Sequence, residues 1–415
     1  MFEGIIYLVK SLLNKPFKIG IVSYYYPGKE GLNNGVAIHT YYLSRELAKM
    51  GCDVHVFCKG DRDSVKTEYF SMGKLTVHRI NVKSHLSVND NVLSKRISYF
   101  MFDNRVINEI TQENKAESFD IIHTHGWLTS GAFISKYFNN LKWIHTFHAL
   151  EKNRLKFMSE EEKKYFEIIR WMESTIKNAD ALITVSDNLK KEVLQAYPVS
   201  EKKIYSIPNG VDLKMYHPDG SPKDKTTLYV GRFSLEKGID LVYKIAEKVL
   251  KKDKEMKFIV VASDSGIPKS LEGISDKFSE LLKEYPDRFI WHRKTLSREE
   301  LSDLYKKCAI YIQPSRYESF GMTVLEAMAC GLATVVSNKG GMPELVQNAG
   351  RVIPLNTKRF LNEVIRLSED YRLRERYSRR AIKRAENFSW EDISKRTLEL
   401  YKIIAKRKEA DETEK

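Results

Sequence analysis

The most informative stretch of this sequence runs from residue 318 to residue 331 and reads ESFGMTVLEAMACG. It follows an apolar run at residues 309–313 that is typical of a buried strand, then passes a glycine and enters a helix that Gly331 ends. The free N–H groups at the start of such a helix face the carboxyl edge of a parallel sheet, where they stabilise an anion. Glu318 precedes this helix and Glu326 lies within it, so the stretch predicts two carboxylates beside an anion site.

On both sides of this stretch, strand and helix patterns alternate along most of the chain. The strands predicted in the first half are Lys18–Tyr24, Asp53–Cys58, Leu75–Ile80, Asp120–Thr124, Lys142–Phe147, Ala181–Val185 and Lys203–Ile207. Those predicted in the second half are Thr227–Gly231, Lys257–Ala262, Arg288–His292, Ala309–Gln313, Ala333–Ser337 and Val352–Pro354. Helical periods separate many of these runs, and such alternation predicts βαβ units around largely parallel sheets.

A chain reversal divides the two series. Residues 207–211 read IPNGV, and proline followed by Asn-Gly is a strong turn signal. We therefore predict an N-terminal domain at residues 1–206 and a C-terminal domain at residues 207–388. A last helix, at about residues 389–410, is expected to pack back on the first domain. The predicted fold class is α/β, with two doubly wound, Rossmann-like domains that face each other across a cleft.

Composition limits the classes of protein that need to be considered. The 69 Lys and Arg residues exceed the 55 Asp and Glu residues by 14, which favours anionic partners such as phosphorylated substrates, an acidic membrane surface or nucleic acid. No apolar run approaches the roughly 20 residues of a membrane span. Only four cysteines occur, too few and too scattered for a disulfide framework. We expect a cytoplasmic protein that contacts at most the inner face of the membrane.

Several segments together resemble the family-4 retaining glycosyltransferases, which have the GT-B architecture. The matching segments are the donor-site signature at 318–331 and 337–346, the interdomain junction IPNGVD at 207–212, the diphosphate clamp at 229–238 and the histidine motif DIIHTH at 120–125. They occur in the expected order. The resemblance implies transfer of a hexose-type sugar, with retention, from a nucleotide-diphosphate sugar (UDP favoured) to a hydroxyl acceptor.

The resemblance also implies the roles of individual residues. In the family, cations matching Arg232 and Lys237 grip the diphosphate, and fixed cations there can replace a metal ion. We expect both side chains to be exposed in the empty cleft, and we expect His125 to project into it. The implied catalytic residues are His125, Arg232, Lys237 and Glu318. The implied donor-binding residues are Gly35, Arg232, Lys237, Glu318, Phe320, Gly321, Met322, Thr323 and Glu326.

Within the donor site, carboxylates suit vicinal diols because they accept two hydrogen bonds in one plane. By resemblance, Glu318 and the N–H groups of residues 320–322 hold the sugar hydroxyls, Thr323 helps to bind phosphate and Glu326 holds the ribose. One departure concerns the loop before the first helix. Asn34 stands where the family has the first of two glycines, and asparagine tolerates left-handed backbone angles.

The acceptor side is less defined. The segment from His145 to Arg154 looks similar to family members that glycosylate phosphorylated small acceptors. It offers His148, Lys152 and Arg154 as acceptor contacts, although a basic, solvated helix start explains the two cations equally well. A lipid or glycan carrier is the other acceptor class that the basic composition allows.

No cofactor and no metal ion are expected. His145 and His148 differ in strand parity, and neither a cysteine nor a carboxylate completes a zinc shell with His123 and His125. An extended strand likewise places His55 on the face opposite its neighbours Cys52 and Cys58. Two alternatives to the transferase stay open. One is a nucleotide-sugar epimerase or phosphorylase of the same architecture. The other is a non-enzymatic protein that binds anions, although no pattern supports specific nucleic-acid binding.

Overall fold

The computed structural model describes residues 16–27, 34–60, 63–82, 91–126, 141–158, 160–164, 166–221, 223–265, 267 and 269–413. Two largely parallel sheets organise this part of the chain, one before and one after the junction at residues 207–212. The predicted α/β class with two doubly wound domains is confirmed. Among the described residues, no helix combines the length and apolarity that crossing a bilayer requires.

The first sheet has eight strands in the order β3-β4-β2-β1-β5-β6-β7-β8. These strands are β1 (Lys18–Val22), β2 (Asp53–Gly60), β3 (Ser64–Tyr69), β4 (Lys74–Asn81), β5 (Ile121–His125), β6 (Lys142–Phe147), β7 (Ala181–Thr184) and β8 (Ile204–Ser206). All neighbours pair in parallel except β3, which runs antiparallel along the edge of β4. The strand order reverses between β1 and β5, so the carboxyl ends of these two strands flank a crevice.

The helices of the first domain lie on both faces of this sheet, as parallel strands require. They are α1 (Gly35–Lys49), α2 (Asn91–Ala116), α3 (Glu151–Arg154), α4 (Glu160–Lys163), α5 (Phe166–Thr175) and α6 (Asp187–Ala196). Asn34 caps α1, because its side chain accepts a hydrogen bond from the Ala37 N–H at 2.9 Å. Its backbone is extended, with φ −145°, so this position needs no left-handed conformation.

The second sheet has six parallel strands in the order β11-β10-β9-β12-β13-β14. These are β9 (Asp224–Val230), β10 (Lys257–Val261), β11 (Phe289–His292), β12 (Cys308–Gln313), β13 (Ala333–Ser337) and β14 (Arg351–Ile353). Numbered from β9, this is the 3-2-1-4-5-6 order of a Rossmann domain, with its switch point between β9 and β12.

The remaining helices surround the second sheet or return to the first. They are α7 (Ile239–Lys252), α8 (Glu272–Glu284), α9 (Arg298–Lys307), α10 (Met322–Ala329), α11 (Met342–Val346), α12 (Thr357–Glu369), α13 (Tyr371–Ala385) and α14 (Trp390–Thr413). The last of these, α14, packs on the first domain: Trp390, Ile393 and Tyr401 are buried in one core with Ile19 and Leu43.

The two domains also share a core. One cluster of buried side chains continues from Trp143 and Leu189 in the first domain to Phe320 and Leu345 in the second. Polar contacts reinforce this junction: the Glu344 carboxylate accepts from the backbone N–H of residue 187 at 3.1 Å, at the start of α6. The cleft is therefore closed at its base by direct contacts between the domains.

Candidate active site

The switch points of the two sheets determine which residues meet in the cleft. In the second domain, Arg232 follows β9 and Glu318 follows β12, so these residues leave the sheet on opposite sides of its switch point. In the first domain, His125 ends β5, next to the reversal at β1. Ligands of doubly wound sheets bind in the crevice outside the carboxyl ends of the strands at such points. Three of the four implied catalytic residues thus lie beside a switch point.

Four charged side chains form a chain of ion pairs at the switch point of the second domain. Arg232 Nη2 donates to Glu236 Oε1 at 2.9 Å, and Lys237 Nζ lies 3.8 Å from the same oxygen. Lys237 Nζ also donates to Glu318 Oε2 at 2.8 Å. Although burial opposes it, the cations Lys237, Arg232 and Arg154 lower the pKa of Glu236. Both expected phosphate-binding cations are therefore held by carboxylates.

The exposure of the two cations differs from the sequence prediction. The Arg232 side chain is 58% exposed, as predicted for a cation that binds a ligand in the cleft. The Lys237 side chain is only 15% exposed, so the expectation that it is exposed was wrong. The reason is the salt bridge to Glu318, which is itself 12% exposed and draws the ammonium group against the loop that precedes α10.

Two helix N-termini meet across the cleft. Gly321, with φ +106°, turns the chain into α10, and glycine adopts this left-handed conformation without steric cost. Across the cleft, a Cβ atom placed on Gly35 at the start of α1 would lie 3.2 Å from Met322 Sδ at the start of α10. The free N–H groups and dipoles of both helices are thus directed toward one region, which favours an anion.

The other residues implied for donor binding surround the start of α10. Phe320 is buried and packs on Phe388, with ring centroids 6.0 Å apart, so its backbone rather than its side chain is available to a ligand. Thr323 Oγ1 lies 2.9 Å from the Tyr311 hydroxyl oxygen. Packing and hydrogen bonding thereby fix the first turn of the helix in place.

The backbone at Glu318 is fixed by a pair of glycines. Gly341 N–H donates to the Glu318 carbonyl oxygen at 2.9 Å. A Cβ atom at Gly340, which has φ +60°, would overlap that same carbonyl oxygen. The Gly340-Gly341 pair of the donor-site signature is therefore required for the close approach of α11 to the loop that carries Glu318.

Glu326 is buried and is held by residues of the neighbouring helix α9. It is 5% exposed, and its Oε1 lies 3.6 Å from Arg298 Nη1 while its Oε2 accepts from the Tyr305 hydroxyl at 3.3 Å. Burial raises the pKa of Glu326, and Arg298 acts in the opposite direction. The Arg298 guanidinium also lies over the rings of Tyr42 and Tyr216, at 5.6 and 5.2 Å. A role for Glu326 in ribose binding remains a prediction.

Three imidazoles from different elements of the first domain gather near the switch point. His125 Nδ1 lies 3.1 Å from His148 Nε2, and the ring of His39 packs on both, with centroids 5.1 and 4.8 Å away. His39 Nδ1 lies 2.8 Å from the Asn209 side-chain oxygen, which fixes the tautomer because only the ring nitrogen can donate. His39 Nε2 and His125 Nε2 are both buried and have no hydrogen-bond partner among the described residues.

These imidazoles are held neutral. Burial lowers the pKa of His39 to about 4, and burial together with the neighbouring imidazoles lowers the pKa of His125 and His148 well below the ordinary value. His125 is 1% exposed, so it is buried in the cleft wall rather than projecting freely into the cleft. The three ring nitrogens have metal-ligand spacing, within 4.8 Å of one another. That no metal ion binds at this cluster stays a prediction.

The two cations that the sequence suggested for the acceptor differ in their exposure and in their contacts. Lys152 on α3 is exposed. Arg154, two residues on, is held by two carboxylates: Nη1 donates to Glu151 Oε1 at 2.6 Å and Nε donates to Glu236 Oε2 at 3.2 Å. An acceptor phosphate would have to compete with these carboxylates for Arg154, whereas Lys152 makes no ion pair with any carboxylate that the structure describes. All three acceptor contacts remain predictions.

Three residues that sequence reasoning did not assign belong to the site. Glu236 precedes Lys237 in the clamp motif, and its position between two cations was a usable signal. His39 lies four residues after Gly35, on the same face of α1. Arg298 opens α9 and carries no motif, so only the folded chain shows that it lies beside Glu326.

Fold and site together define the class: a two-domain α/β protein of GT-B architecture, in which two cations and two helix N-termini form a site suited to an anion between the Rossmann-like domains. Comparisons with known proteins agree. Glycosyltransferase Family 4 matches residues 33–215, and Glycosyl transferases group 1 matches residues 218–384. These two domains cover most of the chain, and the protein belongs to the glycosyltransferases built from them. The resemblance to these glycosyltransferases and the predicted class of enzyme, a glycosyltransferase, are confirmed.

Individual relatives are similar over nearly their whole length. The alpha-maltose-1-phosphate synthase of Mycolicibacterium smegmatis is 26% identical over 89% of this chain and 96% of its own. A D-inositol 3-phosphate glycosyltransferase of Kribbella flavida is 24% identical over 89% of this chain and 90% of its own. The solved sucrose-phosphate synthase of Thermosynechococcus elongatus shares the fold, with a TM-score of 0.75 and 22% identity over 93% of this chain and 98% of that chain.

Proposed function

We propose that this glycosyltransferase moves a hexose-type sugar from a nucleotide-diphosphate sugar, UDP favoured, to a hydroxyl group of its acceptor. The observation that carries the proposal is the convergence of Arg232, Lys237 and the N-termini of α1 and α10 on one region of the cleft. A diphosphate is the ligand for which that arrangement is suited, because cations and helix N-termini both stabilise negative charge.

The same groups supply the chemistry. When the bond between sugar and phosphate breaks, negative charge grows on the leaving diphosphate, and preorganised cations stabilise that charge without reorganisation. Lys237 is held at 2.8 Å from Glu318, so ammonium and carboxylate are positioned together, one for phosphate and one for sugar hydroxyls. His125 offers a neutral imidazole whose buried Nε2 has no hydrogen-bond partner in the part of the chain that the structure describes, and we assign it to the sugar.

Retention at the anomeric carbon is part of the proposal. A retaining route that uses paired carboxylates places them about 5 Å apart across the bond, whereas here Glu318 is engaged by Lys237. We assign the acceptor proton to an oxygen of the donor's own phosphate. NMR of the newly formed linkage tests this step: the product should keep the anomeric configuration of the donor, and inversion would overturn it.

For the acceptor, we propose a phosphorylated small molecule rather than a lipid or glycan carrier. The relatives named above include a maltose-1-phosphate synthase and an inositol 3-phosphate glycosyltransferase, and Lys152 provides an exposed cation close to His148 in sequence. A transfer assay tests this choice by offering sugar phosphates in one set of reactions and carrier lipids or anionic vesicles in another. Transfer to a carrier, with none to a sugar phosphate, would contradict this choice.

The experiment that tests the donor is a thermal-shift screen against UDP, GDP and ADP sugars. A ligand that binds only the folded protein raises its melting temperature, and the shift grows with the logarithm of ligand concentration over Kd. We expect a shift with a UDP sugar that Arg232→Ala reduces. Arg379→Ala, which alters an exposed arginine on α13, should keep the full shift. If none of the donors raises the melting temperature of the wild-type protein, the proposal is wrong.

A further inference from the structure

A second cluster of imidazole and carboxylate groups lies in the first domain, away from the cleft. It consists of His55 on β2, His78 on β4 and Glu113 near the end of α2. His55 is the third residue of β2 and so lies toward the amino end of the strand, whereas the cleft is at the carboxyl ends. Both histidines are buried, and the Glu113 side chain is 34% exposed.

The distances within this cluster suit a tetrahedral ion. His55 Nδ1 lies 3.0 Å from His78 Nε2 and 3.7 Å from Glu113 Oε2. Bonds of about 2.0–2.1 Å from a tetrahedral zinc ion place neighbouring ligand atoms about 3.3 Å apart. The two observed separations bracket that value, and one ligand atom of each residue lies within 4.8 Å of those of the other two, so side-chain rotations bring the three residues onto one ion.

The surroundings of His55 match those of a metal ligand. Its far nitrogen, Nε2, lies 3.4 Å from Asp53 Oδ1, and the Asp53 carboxylate is held by Lys74 at 3.2 Å. Among the described residues neither His55 Nε2 nor Asp53 Oδ1 has a hydrogen-bond partner, so a small rotation that lets a proton on Nε2 reach this carboxylate would leave the lone pair on Nδ1, which faces the other two ligands. Metal-bound histidines commonly donate their other N–H to a carboxylate in this way.

From this geometry we propose that His55, His78 and Glu113 form a site for one divalent transition-metal ion, with zinc as the probe. Two imidazoles and one carboxylate are a donor set that zinc accepts, with a water molecule as the fourth ligand. The ion would tie β2 and β4 to α2. The half-exposed Glu113 provides the route of entry.

Isothermal titration of chelator-treated, full-length protein with zinc chloride tests the proposal. We expect one site that His78→Gln and Glu113→Gln each weaken at least tenfold. Glu109→Gln, one turn earlier on α2, is the matched control and should bind as the wild type does. Cobalt substitution should give the visible absorption of a four-coordinate ion in the wild type and in the control.

The two ligand variants also separate this site from the three cleft imidazoles. Zinc held at the cleft would bind equally well after both substitutions, and that result would overturn the proposal, as would the absence of binding to the wild type. Because Glu113 is half-exposed, Glu113→Gln should fold even where His78→Gln does not. Zinc should raise the melting temperature of the wild type and of Glu109→Gln but not that of Glu113→Gln.

Discussion

Arg154 of the first domain and Glu236 of the second form an ion pair across the cleft, with Arg154 Nε donating to Glu236 Oε2 at 3.2 Å. The other oxygen of Glu236 accepts from Arg232, which is expected to bind the donor diphosphate. One carboxylate, 5% exposed, therefore joins a domain contact to a phosphate-binding cation. The orientation of Arg232 and the approach of the two domains depend on the same group.

Removing the charge of Glu236 should impair catalysis more than it impairs folding. In Glu236→Gln, Arg232 and Arg154 lose the anion that both of them contact. Because Arg232 is then no longer held in place for the diphosphate, kcat/KM should fall by about 10–100-fold. Glu247→Gln, which removes a surface ion pair with Lys251 on α7, is the control and should keep normal kinetics. Wild-type kcat/KM in Glu236→Gln would show that the clamp does not need this carboxylate.

Lys237→Ala should chiefly lower kcat. By comparison with the loss of one oxyanion-hole donor, the decrease should be about 10²–10³-fold. The melting temperature should also fall, because Glu318 loses a partner at 2.8 Å. Kinetics and thermal denaturation are measured on the same preparation, with the exposed Lys248→Ala on α7 as control. A folded Lys237→Ala enzyme with near-normal turnover would mean that the leaving group lies elsewhere.

Activity should survive EDTA. The proposed stabilisation of the diphosphate rests on Arg232, Lys237 and two helix N-termini, none of which a chelator removes. Loss of an ion from the His55–His78–Glu113 cluster should lower the melting temperature instead. Turnover at 25 °C and thermal denaturation, each with and without EDTA, separate the two effects. Loss of turnover that added Mg²⁺ restores would contradict metal-independent transfer.

The buried imidazoles should make the protein sensitive to acid. Burial lowers the pKa of His145 to about 3, so between pH 6.5 and pH 3 the unfolded chain takes up a proton there that the folded chain does not. This contribution to stability is present above pH 6.5 and is lost as the pH falls, by about 2 kcal/mol at pH 5. Urea denaturation at pH 7.5 and pH 5 should show a smaller pH effect in His145→Gln than in His217→Gln, which alters an exposed histidine. Equal pH effects in the two variants would contradict the assignment.

Much of the fold could be predicted because strands of a parallel sheet are buried on both faces and read as continuous apolar runs. Most of the predicted strands coincide with observed ones to within one to three residues at each end. The edge strand β3 was missed because it is mostly exposed and reads SVKTEY, which lacks that signal. The long helix α2 was missed as well. Its apolar residues Phe102, Val106 and Ile110 recur every four residues, and this spacing is the signal that would have predicted the helix.

The site could be predicted only where its residues lie within one contiguous motif. Glu318 and the residues that open α10 are adjacent in sequence, so their common location follows from the strand that precedes them. Contacts between distant segments carry no local pattern. The hydrogen bond between His39 and Asn209 joins residues 170 positions apart, and Arg154 is 82 positions from Glu236. These contacts depend on how the two domains dock, which periodicity does not encode.

Glu173 should show the opposite pH dependence to the histidines. Burial raises its pKa from 4.5 to about 7, although the Tyr197 hydroxyl donates to its Oε2 at 2.6 Å. Between pH 4.5 and pH 7 the unfolded chain ionises at this position while the folded chain stays protonated, so the contribution of Glu173 to stability declines as the pH rises.

Glu173→Gln mimics the protonated form, and its stability relative to the wild type should increase by up to about 3 kcal/mol over this range and then level off. Glu167→Gln, at an exposed position on the same helix, should show no such trend when both variants are unfolded in urea at several pH values. A constant difference between Glu173→Gln and the wild type from pH 4.5 to pH 8 would mean that Glu173 is already ionised in the folded protein.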